Sequence, residues 1–269
     1  MLKINKKIIF FIFIFFQPEA YALSFKGKFI QGHYIIGQTE PNSKIWIDKK
    51  KIKVTKEGYF VFGIGRDHKY DVVITKEYNG KKEKILKKVK KRKYRIQRID
   101  GLPEKKVTPP KEVYERIKRE NKIISDARDV ESDLIFFKNK FIPPLDNAII
   151  TGVYGSQRIL NGKPKWPHYG VDFAAKENTE IKAMLDGTAT MVEPDLFYTG
   201  GTVIFDHGHG ISTLYMHMKK IYVKNGQKVK QGEIIGTVGS TGRSTGAHLD
   251  VRLNWFGTRL DPMTVLKLK

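Results

Sequence analysis

The sequence predicts a mainly β protein built from antiparallel sheets, and two patterns support this fold class. Residues 23–97 contain short runs in which apolar and polar residues alternate, and residues 145–269 contain glycine-bounded runs of valine, isoleucine and threonine. Alternation with a period of two is typical of half-buried strands, whereas glycine marks the turns between them. One segment, residues 111–131, has helical periodicity instead. We therefore expect two β regions joined by a helical linker.

The amino terminus has the features of a secretory signal peptide. Three lysines precede a nine-residue apolar run from Ile8 to Phe16, and the small residues Ala20 and Ala22 supply a cleavage site. The apolar run is too short to cross a bilayer, which takes about 20 residues. We expect residues 1–22 to be removed and the mature chain to be exported to the periplasm or cell envelope, without a stable membrane span. The alternative is an uncleaved anchor.

The chain contains no cysteine, so disulfides cannot stabilise it even in an oxidising compartment. Stability must come from packed apolar cores, and a chain of this length can bury two small ones.

The positive charge is concentrated in the first half of the chain. Of the net charge of +22, residues 23–144 carry +16, whereas residues 145–269 contain 15 basic and 11 acidic residues. The densest basic run is KKEKILKKVKKRKYR (81–95). Nucleic acid is not an expected partner of an exported protein, so the run is either a binding surface for anionic wall polymers or a solvated face.

Residues 23–97 are predicted to form a small antiparallel β domain. Turn signals at Pro41-Asn42, Glu57-Gly58 and Asn79-Gly80 separate its alternating runs, which are KIWID (44–48), GYFVFGIG (58–65) and YDVVIT (70–75).

Residues 98–144 are predicted to link the two β regions. Residues 98–110 contain three prolines, and residues 111–131 combine good helix formers with apolar residues at Val113, Ile117, Ile123 and Ile124. This pattern indicates one amphipathic helix. Pro143 and Pro144 then precede the second β region, residues 145–269.

The second region contains histidines and aspartates at spacings that suit a metal site. His168 and Asp172 are four residues apart in PHYGVDFA (167–174), where Gly170 and Val171 favour an extended chain with both side chains on one side. His248 and Asp250 lie in TGAHLDVR (245–252) and share a face if that run is a strand.

Imidazole and carboxylate groups are good ligands for zinc, and a catalytic zinc site has three protein ligands and one open position. Zinc lowers the pKa of a bound water to about 7, and a nearby imidazole can relay the proton to a leaving amine. His217, in LYMHM (214–218), and His248 are available for this role.

Several separated motifs occur in order over about the last 120 residues. They are YGSQRILNGKP (154–164), FDHGHGISTLYMHM (205–218) and VKNGQKVKQGEIIGTVGSTGRSTGAHLDVR (223–252). Through these motifs the chain resembles the lysostaphin/LytM-type zinc metallopeptidases, which cut peptide bonds in bacterial peptidoglycan. The resemblance implies an antiparallel β peptidase domain over residues 145–269.

The resemblance also implies roles for individual residues. His168 and Asp172 match the H-x-x-x-D metal ligands of the family, and His217 matches the catalytic histidine of its Y-x-H segment. His248 matches the catalytic first histidine of the closing H-x-H, whereas Asp250 replaces the second, metal-binding histidine. The implied centre holds one Zn²⁺ through His168, Asp172 and Asp250. Because Asp250 adds a negative charge, zinc would be a weaker Lewis acid, and a harder cation such as Mn²⁺ is an alternative.

The other histidines and glycines of this region have simpler interpretations. His207 and His209 lie in DHGHG, where two glycines indicate a tight turn, so we expect turn residues rather than ligands. Gly239, Gly242 and Gly246 match no phosphate-binding fingerprint and are expected to form a turn near the substrate.

The resulting functional hypothesis is an exported zinc metalloendopeptidase that hydrolyses peptide cross-links of peptidoglycan during cell-wall remodelling or division. One alternative is a catalytically inactive LytM-type regulator that binds the cell wall and activates other wall hydrolases. Another is a module that only binds the wall. The helix at 111–131 either lies across the groove and limits access, as pro-segments do in some relatives, or packs on the N-terminal β domain.

Overall fold

The computed structural model describes residues 23–101, 104–147 and 149–267, and the predicted signal peptide lies outside them. The fold is mainly β, as the sequence predicts, with twenty strands and three α-helices in the described part of the chain. The strands before the long helix are β1 (Ser24–Lys26), β2 (Tyr34–Gln38), β3 (Lys44–Ile47), β4 (Lys50–Ile52), β5 (Tyr59–Gly63), β6 (Val72–Tyr78), β7 (Lys81–Lys87) and β8 (Ile96–Ile99).

The helices and the strands that follow complete the fold. The helices are α1 (Glu104–Val107), α2 (Tyr114–Arg128) and α3 (Met263–Leu266), and 3₁₀ turns lie at Lys111–Val113 and Phe136–Lys138. The later strands are β9 (Ile149–Gly152), β10 (Gln157–Leu160), β11 (Lys163–Pro164), β12 (Val171–Ala174), β13 (Glu180–Lys182), β14 (Gly187–Leu196), β15 (Gly200–Gly208), β16 (Ile211–Ile221), β17 (Lys228–Val229), β18 (Ile234–Val238), β19 (His248–Trp255) and β20 (Thr258–Leu260).

The N-terminal strands form two small antiparallel sheets, in the orders β1-β2-β5 and β4-β3-β6-β7. Strand β3 shows the expected alternation, since Ile45 and Ile47 are buried whereas Lys44 is exposed. Between β6 and β7 the chain reverses at Asn79 and Gly80, with φ values of 48° and 74°. Two consecutive positive φ values are typical of a type I′ hairpin turn, for which Asn-Gly is the preferred pair.

The basic run 81–95 has two structural environments. Strand β7 lies at the edge of the four-stranded sheet, and its first four side chains are exposed. Further along, Arg92 binds Asp261 of the C-terminal region, with 2.7 Å between Nη1 and Oδ2. The first part of the run therefore meets solvent, whereas the second part helps to join the two halves of the chain.

The segment predicted as a proline-containing linker contacts the C-terminal region. Strand β8 pairs in parallel with β10, from Ile96 opposite Gln157 to Ile99 opposite Leu160. Helix α2 begins at Tyr114 and ends at Arg128, after the 3₁₀ turn, and is therefore shorter than the predicted helix at 111–131.

The largest sheet contains ten strands of the C-terminal region, and its main path runs β17-β14-β15-β16-β19-β12-β9. All of its pairs are antiparallel. On β16, Leu214 faces Arg252 and Met216 faces Asp250, and on β12 Asp172 also faces Asp250. Because paired residues project to the same side of a sheet, these side chains share one face.

Helix α2 packs on this same face. Its residues Ile123, Ile124 and Ala127 contact an apolar cluster formed by Met191, Leu196, Ile204, Leu214 and Met216. The helix therefore covers the part of the face over β14 to β16, next to the aspartates of β12 and β19. The expectation that it packs on the N-terminal β domain is wrong, because its apolar stripe finds its partners on the large sheet.

The two predicted cores are joined into one. Buried residues from Tyr34 to Ile74 belong to the same apolar cluster as buried residues from Phe137 to Val265. Phe62 contacts Trp255 edge to face at 6.5 Å, and Leu260 packs so closely on Gly63 that a Cβ there would lie 2.5 Å from it. Aromatic side chains thus bury both regions against each other.

In the part of the chain that the structure describes, none of the helices combines the length and the apolar character needed to cross a bilayer.

Candidate metal centre

Strands β12 and β19 and the segment before β12 bring His168, Asp172 and Asp250 together. Asp172 lies on β12 and Asp250 on β19, directly opposite each other in the antiparallel pair. His168 precedes β12 outside any strand, so the extended run predicted from Gly170 and Val171 does not reach it. Its backbone is fixed instead by two hydrogen bonds, in which His168 donates to Ser156 O at 2.8 Å and Gly155 donates to His168 O at 2.7 Å.

The three side chains form a compact, buried group. One ligand atom from each lies within 4.8 Å of the others. His168 Nε2 is 3.0 Å from Asp172 Oδ1 and 3.3 Å from Asp250 Oδ2. Ligand bonds of about 2.0–2.1 Å in a tetrahedral zinc site place neighbouring ligand atoms roughly 3.3 Å apart. The spacing of this group therefore fits a zinc ion.

One buried carboxylate oxygen of the group, Asp250 Oδ1, has no hydrogen-bond partner. An unpaired buried polar atom costs free energy, and coordination of a cation removes this cost. The chemistry of the donor atoms, one imidazole and two carboxylates, is also suitable for a divalent ion.

An arginine pairs with each of the two aspartates. Arg158 Nη2 lies 3.2 Å from Asp172 Oδ2, and Arg252 Nη2 lies 3.2 Å from Asp250 Oδ2. The two guanidinium groups balance the two carboxylates, so they offset the extra negative charge that Asp250 brings. Arg252 contacts the same oxygen of Asp250 that faces His168.

The pKa values of the group reflect these charges. Burial alone would lower the pKa of His168, but the charge of Asp250 and the contacts with both aspartates raise it above its ordinary value. Burial alone would raise the pKa of Asp250, but the charges of Arg252 and His168 hold it well below its usual range. Asp250 is therefore a carboxylate and not a carboxylic acid.

Two glycines make room for the aspartates. A Cβ on Gly152 would lie 2.0 Å from Asp172 Oδ2, and a Cβ on Gly170 would lie 2.0 Å from Asp250 Oδ1. Neither glycine has a positive φ. Both positions are therefore glycine because a side chain would occupy the space of a carboxylate, and not because the backbone conformation requires glycine.

His217 lies next to this group, at an irregular point of β16. Its φ of 64° is unusual for a residue with a side chain, and a register shift follows between Met218 and Lys220. Such strain is concentrated at functional sites. His217 Nδ1 is 2.8 Å from Thr241 O, so Nδ1 carries the proton and Nε2 is left as an acceptor. Burial lowers the pKa of His217 to about 4, and the imidazole is neutral at pH 7.

His248 is close both to His217 and to Asp172. The two imidazole rings are 4.7 Å apart between centroids. His248 Nδ1 donates to Gly246 O at 2.8 Å, and Nε2 lies 3.9 Å from Asp172 Oδ1. Both histidines thus have one ring nitrogen fixed by a backbone carbonyl, which sets the tautomer.

A cleft of about 330 Å³ opens at this group. Asp172, His217, His248 and Asp250 lie in its wall, and the remaining wall residues come from β8 to β10, from β12 and from the loop before β19, namely Gln97, Ile99, Thr151, Arg158, Leu160, Ala174, Arg243, Ser244, Thr245, Gly246 and Ala247. Four of the five residues that the sequence singled out therefore meet at one concave surface, with His168 buried beneath them at 1% exposure.

His207 and His209 do not belong to this group. His207 lies on β15, fully buried, and bonds Asp186 O and Thr213 Oγ1, each at 2.7 Å. His209 follows with a φ of 51° and packs on Phe137 at 4.8 Å between ring centroids. Both make packing or hydrogen-bond contacts away from the group, and only His209 lies in the turn.

Sequence reasoning missed the two arginines and the two glycines. The signal for Arg252 was present, because residues 248, 250 and 252 alternate along one strand and share a face. Arg158 and Gly152 lie on different strands from the aspartates, and only the fold brings them close.

Comparisons with known proteins find a peptidase family in this part of the chain. Residues 166–262 match the model of peptidase family M23. The peptidoglycan DD-endopeptidase ShyA of Vibrio cholerae is 44% identical over 87 residues, which are 32% of this chain and 20% of ShyA. The DD-carboxypeptidase/endopeptidase Mpg of Neisseria meningitidis is 40% identical over 98 residues, which are 36% of this chain and 22% of Mpg. The chain thus spans about a fifth of the length of these relatives.

A solved structure extends the similarity to most of the chain. A crystal structure from Pseudomonas aeruginosa, named as a candidate M23 peptidase, has a TM-score of 0.69 and 26% sequence identity. The similarity covers 90% of this chain and 96% of that one. Residues 166–262 therefore contain a peptidase M23 domain of the lysostaphin/LytM type.

Proposed function

We propose that this protein is an exported metalloendopeptidase that hydrolyses peptide cross-links in bacterial peptidoglycan. The observation that carries the proposal is the convergence of His168, Asp172 and Asp250, with ligand atoms within 4.8 Å, beside two histidines in a cleft. The name of ShyA, a peptidoglycan DD-endopeptidase, supports peptidoglycan as the substrate, and the name of Mpg supports an endopeptidase activity. Export rests on the signal-peptide pattern of residues 1–22.

In this proposal His168 Nε2, one oxygen of Asp172 and one oxygen of Asp250 hold a single Zn²⁺. The fit rests on the short distances between the side chains and on the buried Asp250 Oδ1, which has no hydrogen-bond partner. A zinc ion there supplies Lewis acidity, which polarises a carbonyl oxygen and acidifies water. Because two arginines offset the two carboxylates, the site does not require a harder cation, although Mn²⁺ is an alternative ion.

His217 and His248 supply the proton transfers and the charge stabilisation. Thr241 O holds Nδ1–H of His217, so Nε2 has a free lone pair that accepts or shares a proton at the cleft. Gly246 O holds Nδ1–H of His248 in the same way. Fixed imidazoles of this kind act as general bases or stabilise a developing oxyanion without reorganising during the reaction.

A second candidate function is that of an inactive regulator that binds the cell wall and activates other wall hydrolases. The observation that favours it is the aspartate at position 250 together with Arg252, whose cation sits on the oxygen that faces His168. If the arginine lowers the metal affinity, the cleft would still bind the cell wall but would have little hydrolytic activity.

The experiment that separates the two candidates compares wild-type protein with His217→Ala. Purified sacculi are digested with each protein, with and without added zinc, and released muropeptides are quantified. If the protein is a peptidase, wild-type protein should release muropeptides in a zinc-dependent manner and His217→Ala should not. No release by zinc-loaded wild-type protein, together with stimulation of another wall hydrolase, establishes the regulator instead.

A further inference from the structure

The cleft wall includes a strand from outside the matched peptidase region. Strand β8 precedes residues 166–262, and yet two of its side chains, Gln97 and Ile99, lie in the wall of the cleft. Exposure alternates along the strand, since Ile96 and Arg98 are exposed whereas the two wall residues are partly buried. One face of β8 therefore points to the cleft and the other points to solvent.

Hydrogen bonds fix β8 against the neighbouring strand β10. The two strands pair in parallel, and the N–H of Asn161, just after β10, donates to Ile99 O at 2.9 Å. Strand β10 in turn is joined to the metal centre, because Arg158 Nη2 lies 3.2 Å from Asp172 Oδ2. The position of β8 relative to the centre is therefore set by the fold.

The register of these two strands divides this part of the wall into a polar row and an apolar row. Gln97 pairs with Arg158, which contacts Asp172. Ile99 pairs with Leu160. Paired side chains project from the same side of a sheet, and the apolar pair lies two residues beyond the polar pair, about 6.6 Å along the strand. A peptide in the cleft therefore meets an aliphatic surface close to the metal centre.

The wall contains two further aliphatic side chains. Ala174 lies two residues after Asp172 on β12, so both project from the same face, and Ala247 lies in the loop before β19. Leu160 is 4% exposed, whereas Ile99 and the two alanines are only partly buried. An apolar group of a bound peptide would remove their remaining surface from water, which favours binding.

We propose that Ile99 and Leu160 form an apolar subsite that binds the side chain of the substrate residue beside the scissile amide. The inference rests on the proposed peptidase function and adds the class of this side chain, which is aliphatic. It also gives β8, a strand outside the family match, a function in substrate selection. Glycine has no side chain to fill the subsite, so peptides with an aliphatic residue at this position should be preferred to glycine peptides.

The test uses two series of fluorescent tetrapeptides with blocked ends. In the first series the residue before the central amide is glycine, alanine or leucine, and in the second series the residue after it varies in the same way. Alanine and leucine are used in both the L and the D configuration. Binding to zinc-loaded, full-length His217→Ala protein is measured by anisotropy, so that no turnover is needed. Burial of one methyl group predicts that alanine binds about fourfold more tightly than glycine in one of the series.

The matched variants are Ile99→Ala and Ile96→Ala in the same His217→Ala background. Ile96 lies on the same strand but is 63% exposed, on the face away from the cleft. Because Ile99→Ala leaves space in the subsite, the ratio of leucine to alanine affinity should rise about fourfold or more, whereas Ile96→Ala should leave it unchanged. Circular dichroism checks that the variants are folded. If Ile99→Ala does not fold, Ile99→Val replaces it, with a smaller change in the same direction expected.

The series that shows the preference identifies on which side of the scissile amide the subsite lies. Equal binding of the glycine, alanine and leucine peptides in both series overturns the proposal. So does a loss by the same factor for all peptides in Ile99→Ala, because Ile99 would then only support the fold of the wall. Cleavage of the same peptides by wild-type protein is scored separately, so a failure of hydrolysis counts against the peptidase function and not against the apolar subsite.

Discussion

Gly170→Ala should disable the metal centre without removing any of its ligands. The added Cβ would lie 2.0 Å from Asp250 Oδ1 and 2.7 Å from Val251 O, whereas ordinary contacts begin at 3.4 Å. Relief of the closest contact requires a displacement of about 1.4 Å. Metal sites tolerate departures of about 0.2 Å from ideal ligand distances.

Either route of relief separates His168 from Asp250. If Asp250 moves, the distance between its Oδ2 and His168 Nε2, now 3.3 Å, increases. If the chain at Gly170 moves instead, it pulls on His168, which is tied to residues 155 and 156 by two hydrogen bonds. We expect zinc affinity to fall at least about 100-fold, and overpacking to cost roughly 1–3 kcal/mol of folding free energy.

Zinc affinity is measured by competition with a chelator, and unfolding by circular dichroism. Gly257→Ala is the matched control, because a Cβ at that position meets nothing within 4 Å. Gly152→Ala, whose Cβ would approach Asp172 Oδ2 at 2.0 Å, should reproduce the loss. A folded Gly170→Ala protein that binds zinc as tightly as the wild type would refute this account of the site.

Three further predictions concern charge, pH and access. Arg252→Gln should raise zinc affinity about tenfold in the chelator assay, because it removes a cation 3.2 Å from a ligand oxygen; weaker binding would show that positioning of Asp250 outweighs repulsion. Burial lowers the pKa of His207 to about 4, so the neutral histidine contributes stability above pH 6.5 that is lost as the pH falls towards 4, roughly 3 kcal/mol in all. Denaturant unfolding at pH 7 and pH 4.5 should therefore show a smaller acid loss for His207→Gln, and an equal loss would contradict the assignment. Deletion of residues 111–131 should increase digestion of sacculi, because helix α2 covers the sheet face beside the centre; unchanged or lower digestion by a folded variant would make the helix a spacer.

Much of the fold follows from local signals. The alternation of Ile45 and Ile47 predicts strand β3. The Asn79-Gly80 pair predicts the tight turn between β6 and β7. The helix was predicted because its apolar stripe has period 3.6, but the stripe fits any apolar surface, so its partner on the large sheet was not predictable. The same holds for β8, a four-residue strand that is ordered by its parallel pairing with β10.

The candidate centre could be predicted only in part. His168, Asp172, His217, His248 and Asp250 stood out through spacing and through resemblance, and the fold brings them together. Their arginine partners depend on which strands become neighbours, and the need for Gly152 and Gly170 depends on a clash that arises only after folding. Tertiary contacts of this kind leave no periodic trace in the sequence.

The most direct test of the central claim is the metal content of purified wild-type protein and of Asp250→Ala, measured by mass spectrometry after dialysis against buffered zinc. We predict one zinc ion per wild-type chain and none retained by Asp250→Ala. Equal zinc content in the two proteins, with equal activity on sacculi, would remove Asp250 from the centre and contradict the claim that His168, Asp172 and Asp250 hold one ion.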